Sequence, residues 1–200
     1  MAAVPKPKRD WGECVSLFVV LGLSFLLEDR YTLGGPVVTS SLLVCAAFAF
    51  VLSLATTLRG NRAGAGLAMI VAALVLGAGL IASMSNILYL VVYHANDIAG
   101  IRLLQSAAMI WVSNVVIFAV VYHWIGEGEF IFPRLPDDDA RRKPLTFLDF
   151  LFLSFTTSTA FSPTDTPPLT TRVRMFMMFE SAISLTTIAV AAARAVNILS

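Results

Sequence analysis

Polar residues in this chain come in short clusters, and the stretches between them are apolar for long enough to cross a bilayer, which takes about 20 mostly apolar residues. The first such stretch runs from about Trp11 to Leu27, with Trp11 where an interfacial aromatic belongs. Glu28 to Pro36 reads as a turn broken by Gly34-Gly35-Pro36. The second helix is predicted from about Pro36 to Leu58, where proline is tolerated in the first turn. After the basic loop Arg59-Gly60-Asn61-Arg62, a third runs from about Gly64 to Tyr93, long enough to predict tilt or an overhanging end. Its Ala73 and Gly77 form a small-xxx-small pair that would admit a close neighbour, or are ordinary small-residue content of a membrane helix. His94-Ala95-Asn96-Asp97 is a polar corner. The fourth helix covers about Ile101 to Ile125 and ends in the interfacial belt Tyr122-His123-Trp124; the last covers about Arg172 to Ile198.

Between the fourth and last helices the pattern changes. Gly126 to Lys143 is polar, and Asp137-Asp138-Asp139 is followed by Arg141-Arg142-Lys143, a self-compensating solvated loop or a divalent-cation site. Phe130, Ile131 and Phe132 within it are expected to pack back on the membrane surface. From Leu145, the run of Phe147, Leu148, Phe150, Leu151, Leu153 and Ser154 makes about three turns, too short to span. Thr146 or Asp149 suits its N-terminus. Then comes the hydroxyl-rich segment Phe155 to Asp165, and Pro163, Pro167 and Pro168 forbid helix. Such a segment enters a membrane only where protein or a water-filled cavity surrounds it, because lipid offers its backbone no partners. The expectation is an all-α integral membrane protein: five transmembrane helices plus a re-entrant half-helix and pore loop, with a three-helix region over 1–100 and a second module over 101–200.

Composition agrees. With 58% hydrophobic and 14% charged residues and a mean hydropathy of +0.81, the chain is not a soluble globular domain. A net charge of +1 gives no reason to expect a nucleic acid partner. Cys14 and Cys45, both in apolar segments, read as small buried hydrophobes. No small-residue cleavage site follows Leu27, so the first apolar run is kept as a membrane helix. Placing the N-terminus in the cytoplasm puts Lys6, Lys8, Arg9, Arg59, Arg62, Arg134, Arg141, Arg142, Lys143, Arg172 and Arg174 inside, as the positive-inside rule favours.

Candidate chemistry is sparse. Neither His94 nor His123 has partners at metal-ligand spacing. Ser162, His123 and Asp165 could be drawn as a hydrolase set, but no nucleophile-elbow or metal motif accompanies them, so neither an enzyme nor a cofactor is expected. A secondary transporter lacks its broken-helix repeat, and no arginine ladder marks a voltage sensor. Glu180 lies about 12 Å into the last helix at 1.5 Å per residue. An ionisable group at that depth is functional by default; it stays neutral, bonds to the half-helix or a neighbouring subunit, or belongs to an ion path. Arg194 snorkels to the interface or forms an inner gate or anion ring, and mid-helix Asn114 is expected to bond to a neighbouring helix.

The stretch Thr159-Ala160-Phe161-Ser162-Pro163-Thr164-Asp165, with Trp111-Val112-Ser113-Asn114-Val115 upstream, resembles a group of bacterial membrane proteins described as ion-channel-like. More distantly, the second half is similar to the pore module of tetrameric potassium channels: outer helix, half-helix, filter loop, inner helix. Set against the filter T-T-V-G-Y-G-D, this chain offers Thr157, Ser158, Thr159, Ala160, Phe161, Ser162 and Pro163, with its acid two positions late at Asp165. Glu180 and the pair Ala193-Arg194 stand about where bacterial channel inner helices carry a glutamate and an Ala-Arg. The resemblance implies a homotetramer in the bacterial inner membrane, passing monovalent cations, K+ or Na+. Thr157, Ser158, Thr159, Ala160, Phe161 and Ser162 would line or block the narrow part, and Pro163, Thr164 and Asp165 would form its mouth; Asp165 could instead cap the turn near Thr166. Filter glycines admit positive φ, and Ala160 and Ser162 replace them, so a standard four-site potassium filter is not expected. Their loss equally fits a non-conducting scaffold or sensor that keeps the fold. The resemblance also places the N-terminus outside, against the charge bias.

Overall fold

The computed structural model describes residues 62–93, 100–133, 145–159 and 166–199, with Gly22 and Val51, both helical. The first two predicted helices, the Asp137–Lys143 charge run and the segment Ala160 to Asp165 lie outside the described residues. Among the described residues, four α-helices have defined bounds: α1 (Arg62–Tyr93), α2 (Gly100–Ile125), α3 (Phe147–Ser158) and α4 (Thr171–Leu199). Stretches of α1, α2 and α4 (Val71–Tyr89, Ile101–Ile125 and Thr171–Ala193) are long and apolar enough to cross a membrane, and α3 is not. The chain is a helical membrane protein.

Packing centres on α2, which touches all three others. The α1 contact uses the small residues: Ala72 and Ala73 are buried, and the Cβ direction of Gly77 points at Ile117 Cγ2, 4.0 Å away. That close approach is what a small-xxx-small stripe permits. On the far side of α2, Phe118, Tyr122, Phe130, Phe150, Val173 and Met177 form a second core with α3 and α4.

The chain leaves α2 at Gly126, whose φ of +97° is open to glycine and strained for other residues. A single turn (Glu127–Glu129) follows, and the strand-like residue Phe130 then pairs with Pro168, just ahead of α4. Ile131 N–H donates to Pro167 O at 3.0 Å, Leu169 N–H to Glu129 O at 2.9 Å, and Thr170 Oγ1 to Glu129 Oε2 at 2.5 Å. These bonds pin the start of α4 beside the end of α2, so the two helices run antiparallel.

The α3 helix begins at that same end. Asp149, in its first turn, accepts from both the backbone N–H (2.7 Å) and the hydroxyl (2.9 Å) of Thr146, a capping box. Thr146→Ala is expected to lower stability by about 0.5–2 kcal/mol, read as a lower midpoint of thermal unfolding in detergent. From there α3 descends along α2. Phe147 and Phe150 lie against His123, with ring centroids at 6.1 and 5.0 Å, Ser154 reaches Val115 O at 2.7 Å, and Phe155 meets Trp111 edge-on at 5.7 Å. Trp111 is about midway along α2, so α3 ends beside the middle of α2.

Candidate functional site

The site is built where the end of α3 is wedged against α2 and α4. Glu180 is the tenth residue of α4, about 14 Å from its start at 1.5 Å per residue, and its side chain is fully buried. The carboxyl meets three hydroxyls. Tyr122 Oη, from α2, donates to Oε2 at 2.5 Å, and Ser158 Oγ, from α3, to Oε1 at 2.8 Å. Ser154 Oγ is hydrogen-bonded to Oε1 as well, in a very short contact, while also reaching Val115 O at 2.7 Å. Ser154 and Ser158 both reach one oxygen because residues four apart share a helix face. One α4 residue thus ties three helices together.

A second tie lies alongside. Asn114, also fully buried, donates from Nδ2 to the backbone carbonyl of Glu180 at 3.2 Å and to Ser184 Oγ at 2.8 Å. One turn further along α4, Thr187 Oγ1 contacts Met84 Sδ of α1 at 3.3 Å. The interhelical role expected of Asn114 is therefore observed, and Glu180 does bond to the half-helix.

The hydroxyls at the tip of α3 divide into two groups. Ser154 and Ser158 face Glu180. Thr156, Thr157 and Thr159 instead turn their hydroxyls onto carbonyls of their own helix: Thr156 to Leu153 O at 2.9 Å, Thr157 to Leu153 O at 2.8 Å and Thr159 to Phe155 O at 2.9 Å. Ser181 of α4 adds a 3.3 Å bond to Thr157 O. Phe155 O already accepts from the backbone N–H of Thr159, whereas Thr157 O, among the last carbonyls of the helix, gains a donor from α4. Thr157 and Ser158 belong to the last turn of α3 and Thr159 is its C-cap, so the helix extends further into the hydroxyl run than the sequence suggests. Ala160, Phe161, Ser162, Pro163, Thr164 and Asp165 lie outside the described residues, and Arg194 is placed on α4 by its backbone alone.

Sequence reading missed Tyr122, taken there for a belt residue, and Ser154, taken for the end of an apolar run. The available signal was the four-residue spacing of Ser154 and Ser158, which puts two small polar groups on one face of a short helix. Among the described residues no group of three or more His, Cys, Asp or Glu side chains is arranged to hold a metal. Comparisons with protein-family models, with curated proteins and with solved structures found no match to this chain.

Proposed function

We propose that this protein is a cation channel of the bacterial inner membrane, with five transmembrane helices and a re-entrant half-helix, and that residues 101–200 form its pore module. The observation that carries the reading is the course of α3. Its 12 residues rise about 18 Å, well short of a hydrocarbon core of about 30 Å. It enters beside the end of α2 and stops level with Trp111, and the chain returns to begin α4 at the end it left. A helix that stops at half depth needs protein or water around its tip.

The tip favours cations. A helix C-terminus carries partial negative charge. Thr156, Thr157 and Thr159 commit their hydroxyl protons to backbone carbonyls, which leaves oxygen lone pairs rather than donors on their outer side. Ala160, Phe161 and Ser162 carry on from this tip without the glycines of a carbonyl-lined filter, so the pore is weakly selective among monovalent cations such as K+ and Na+, and Phe161 is its narrowest barrier. Four copies close the ring around α4. Among the described residues, 28% of the apolar stretch of α4 is buried, against 61% for that of α2. Met178, Phe179 and Leu185 are left exposed on α4, as is Phe152 on α3.

Flux from liposomes holding the purified protein, measured across potassium, sodium, calcium and chloride gradients, tests this. Potassium and sodium are expected to pass at similar rates and chloride not at all, and Phe161→Ala is expected to raise cation flux. A folded, tetrameric protein that is silent in both forms would replace this reading with a non-conducting scaffold or sensor.

A further inference from the structure

We infer that Glu180 is a proton-binding site, and that its carboxyl holds a proton and donates it to Ser154. The inference rests on the packing of α2, α3 and α4 and does not depend on conduction.

The cluster contains four oxygen-to-oxygen contacts at hydrogen-bond distance: Tyr122 Oη with Glu180 Oε2, Ser158 Oγ with Oε1, Ser154 Oγ with Oε1, and Ser154 Oγ with Val115 O. Each contact needs one proton between its oxygens, since two facing lone pairs repel. Tyr122, Ser154 and Ser158 bring one hydroxyl proton each, and the Val115 carbonyl brings none. A carboxylate adds no proton and leaves one contact empty. Ser154 is where the shortfall falls, because its single proton is claimed both by Val115 O and by Oε1. A protonated carboxyl fills the gap: Oε1–H donates to Ser154 Oγ, and Ser154 donates on to Val115 O. Ser158 still donates to Oε1, and Tyr122 to Oε2, now the carbonyl oxygen of the acid. All four contacts are then satisfied with no proton left over.

The surroundings agree with a neutral group. Tyr122 from α2, and Ser154 and Ser158 from α3, are the side chains bonded to the carboxyl, and Tyr122 is the one titratable group among them. On α4, Ser184 is engaged by Asn114 and Ser181 by Thr157 O. Asp149 and Glu129, acids of the flanking elements, are held at the helix ends by Thr146 and Thr170. Proton occupancy then sets how firmly α3 is tied. When the proton leaves, Ser154 keeps its bond to α2 or to α4, but not both.

Infrared spectra of the full-length protein in bilayers at neutral pH, in H2O and in D2O, test the assignment. Wild type minus Glu180→Gln is expected to show a carboxylic acid C=O band that moves to lower frequency in D2O. Tyr122→Phe provides a second reading that does not need the Gln variant to fold. It removes one contact and one hydroxyl proton, so the acid persists and its C=O band rises in frequency as Oε2 loses its donor. Loss of carboxylate stretches in the Gln difference spectrum, or no acid band in either difference, overturns the proposal while leaving the flux experiment to judge conduction.

Discussion

Replacing Glu180 by alanine is expected to destabilise the protein by on the order of 2–6 kcal/mol, because it leaves Tyr122 and Ser158 as two buried hydroxyls without an acceptor, each costing about 1–3 kcal/mol. Ser154 keeps Val115 O and adds little. Set against a total stability of about 5–15 kcal/mol, such a loss is large, and it falls where three helices are joined. Glu180→Gln preserves the shape of the side chain and one good acceptor for Tyr122, so less than half of the alanine effect is expected. Thermal unfolding of wild type and both variants in one detergent measures the difference. An alanine variant within about 0.5 kcal/mol of wild type would mean that the cluster is incidental to the fold.

Phe150→Ala should cost about 3–5 kcal/mol, the range for removing a large buried aromatic side chain. Phe150 is 2% exposed and stands edge-on to His123 at 5.0 Å, to Phe132 at 5.3 Å and to Phe130 at 6.3 Å. Rigid rings cannot collapse into the space it leaves, so the cavity persists and the cost stays near the upper end. Leu148, two positions away and 70% exposed, is the control. Leu148→Ala is expected to stay within about 0.5 kcal/mol of wild type under the same unfolding conditions. Equal effects at the two positions would show that α3 is not seated by its buried face.

The helices were legible because a bilayer imposes a simple rule on sequence. About 20 apolar residues between polar clusters located α1, α2 and α4 to within two residues at each end. Thr146 and Asp149, three apart before an apolar run, announced the start of α3, and the structure uses both. The end of α3 was harder to read. Threonine and serine weaken helices in water because their hydroxyls compete for the backbone. Inside the membrane the same competition becomes support, and Thr156 and Thr157 sit comfortably in the last turn. The partners of Glu180 were illegible for a different reason. Their positions in the chain, from Tyr122 to Ser158, are brought together only by the crossing of three helices, and beyond the four-residue spacing of Ser154 and Ser158 no local pattern encodes that. Tyr122 shows the limit well: a tyrosine near the end of a membrane helix suits an interfacial belt, and only its neighbours in space reveal the role it has.

The pairing of Phe130 with Pro168 has a consequence for how the molecule is assembled. Those two residues bring together the two ends of the segment that carries the short helix, beside the junction of α2 and α4. The hairpin of α2 and α4 that this pairing closes presents a groove, and the short helix packs into it against both. The connections on either side of it are free to vary in length across evolution, since doubling a tethered loop adds only about 0.6 kcal/mol to the entropy of closing it. In such an architecture the frame and the plug can change on separate evolutionary clocks.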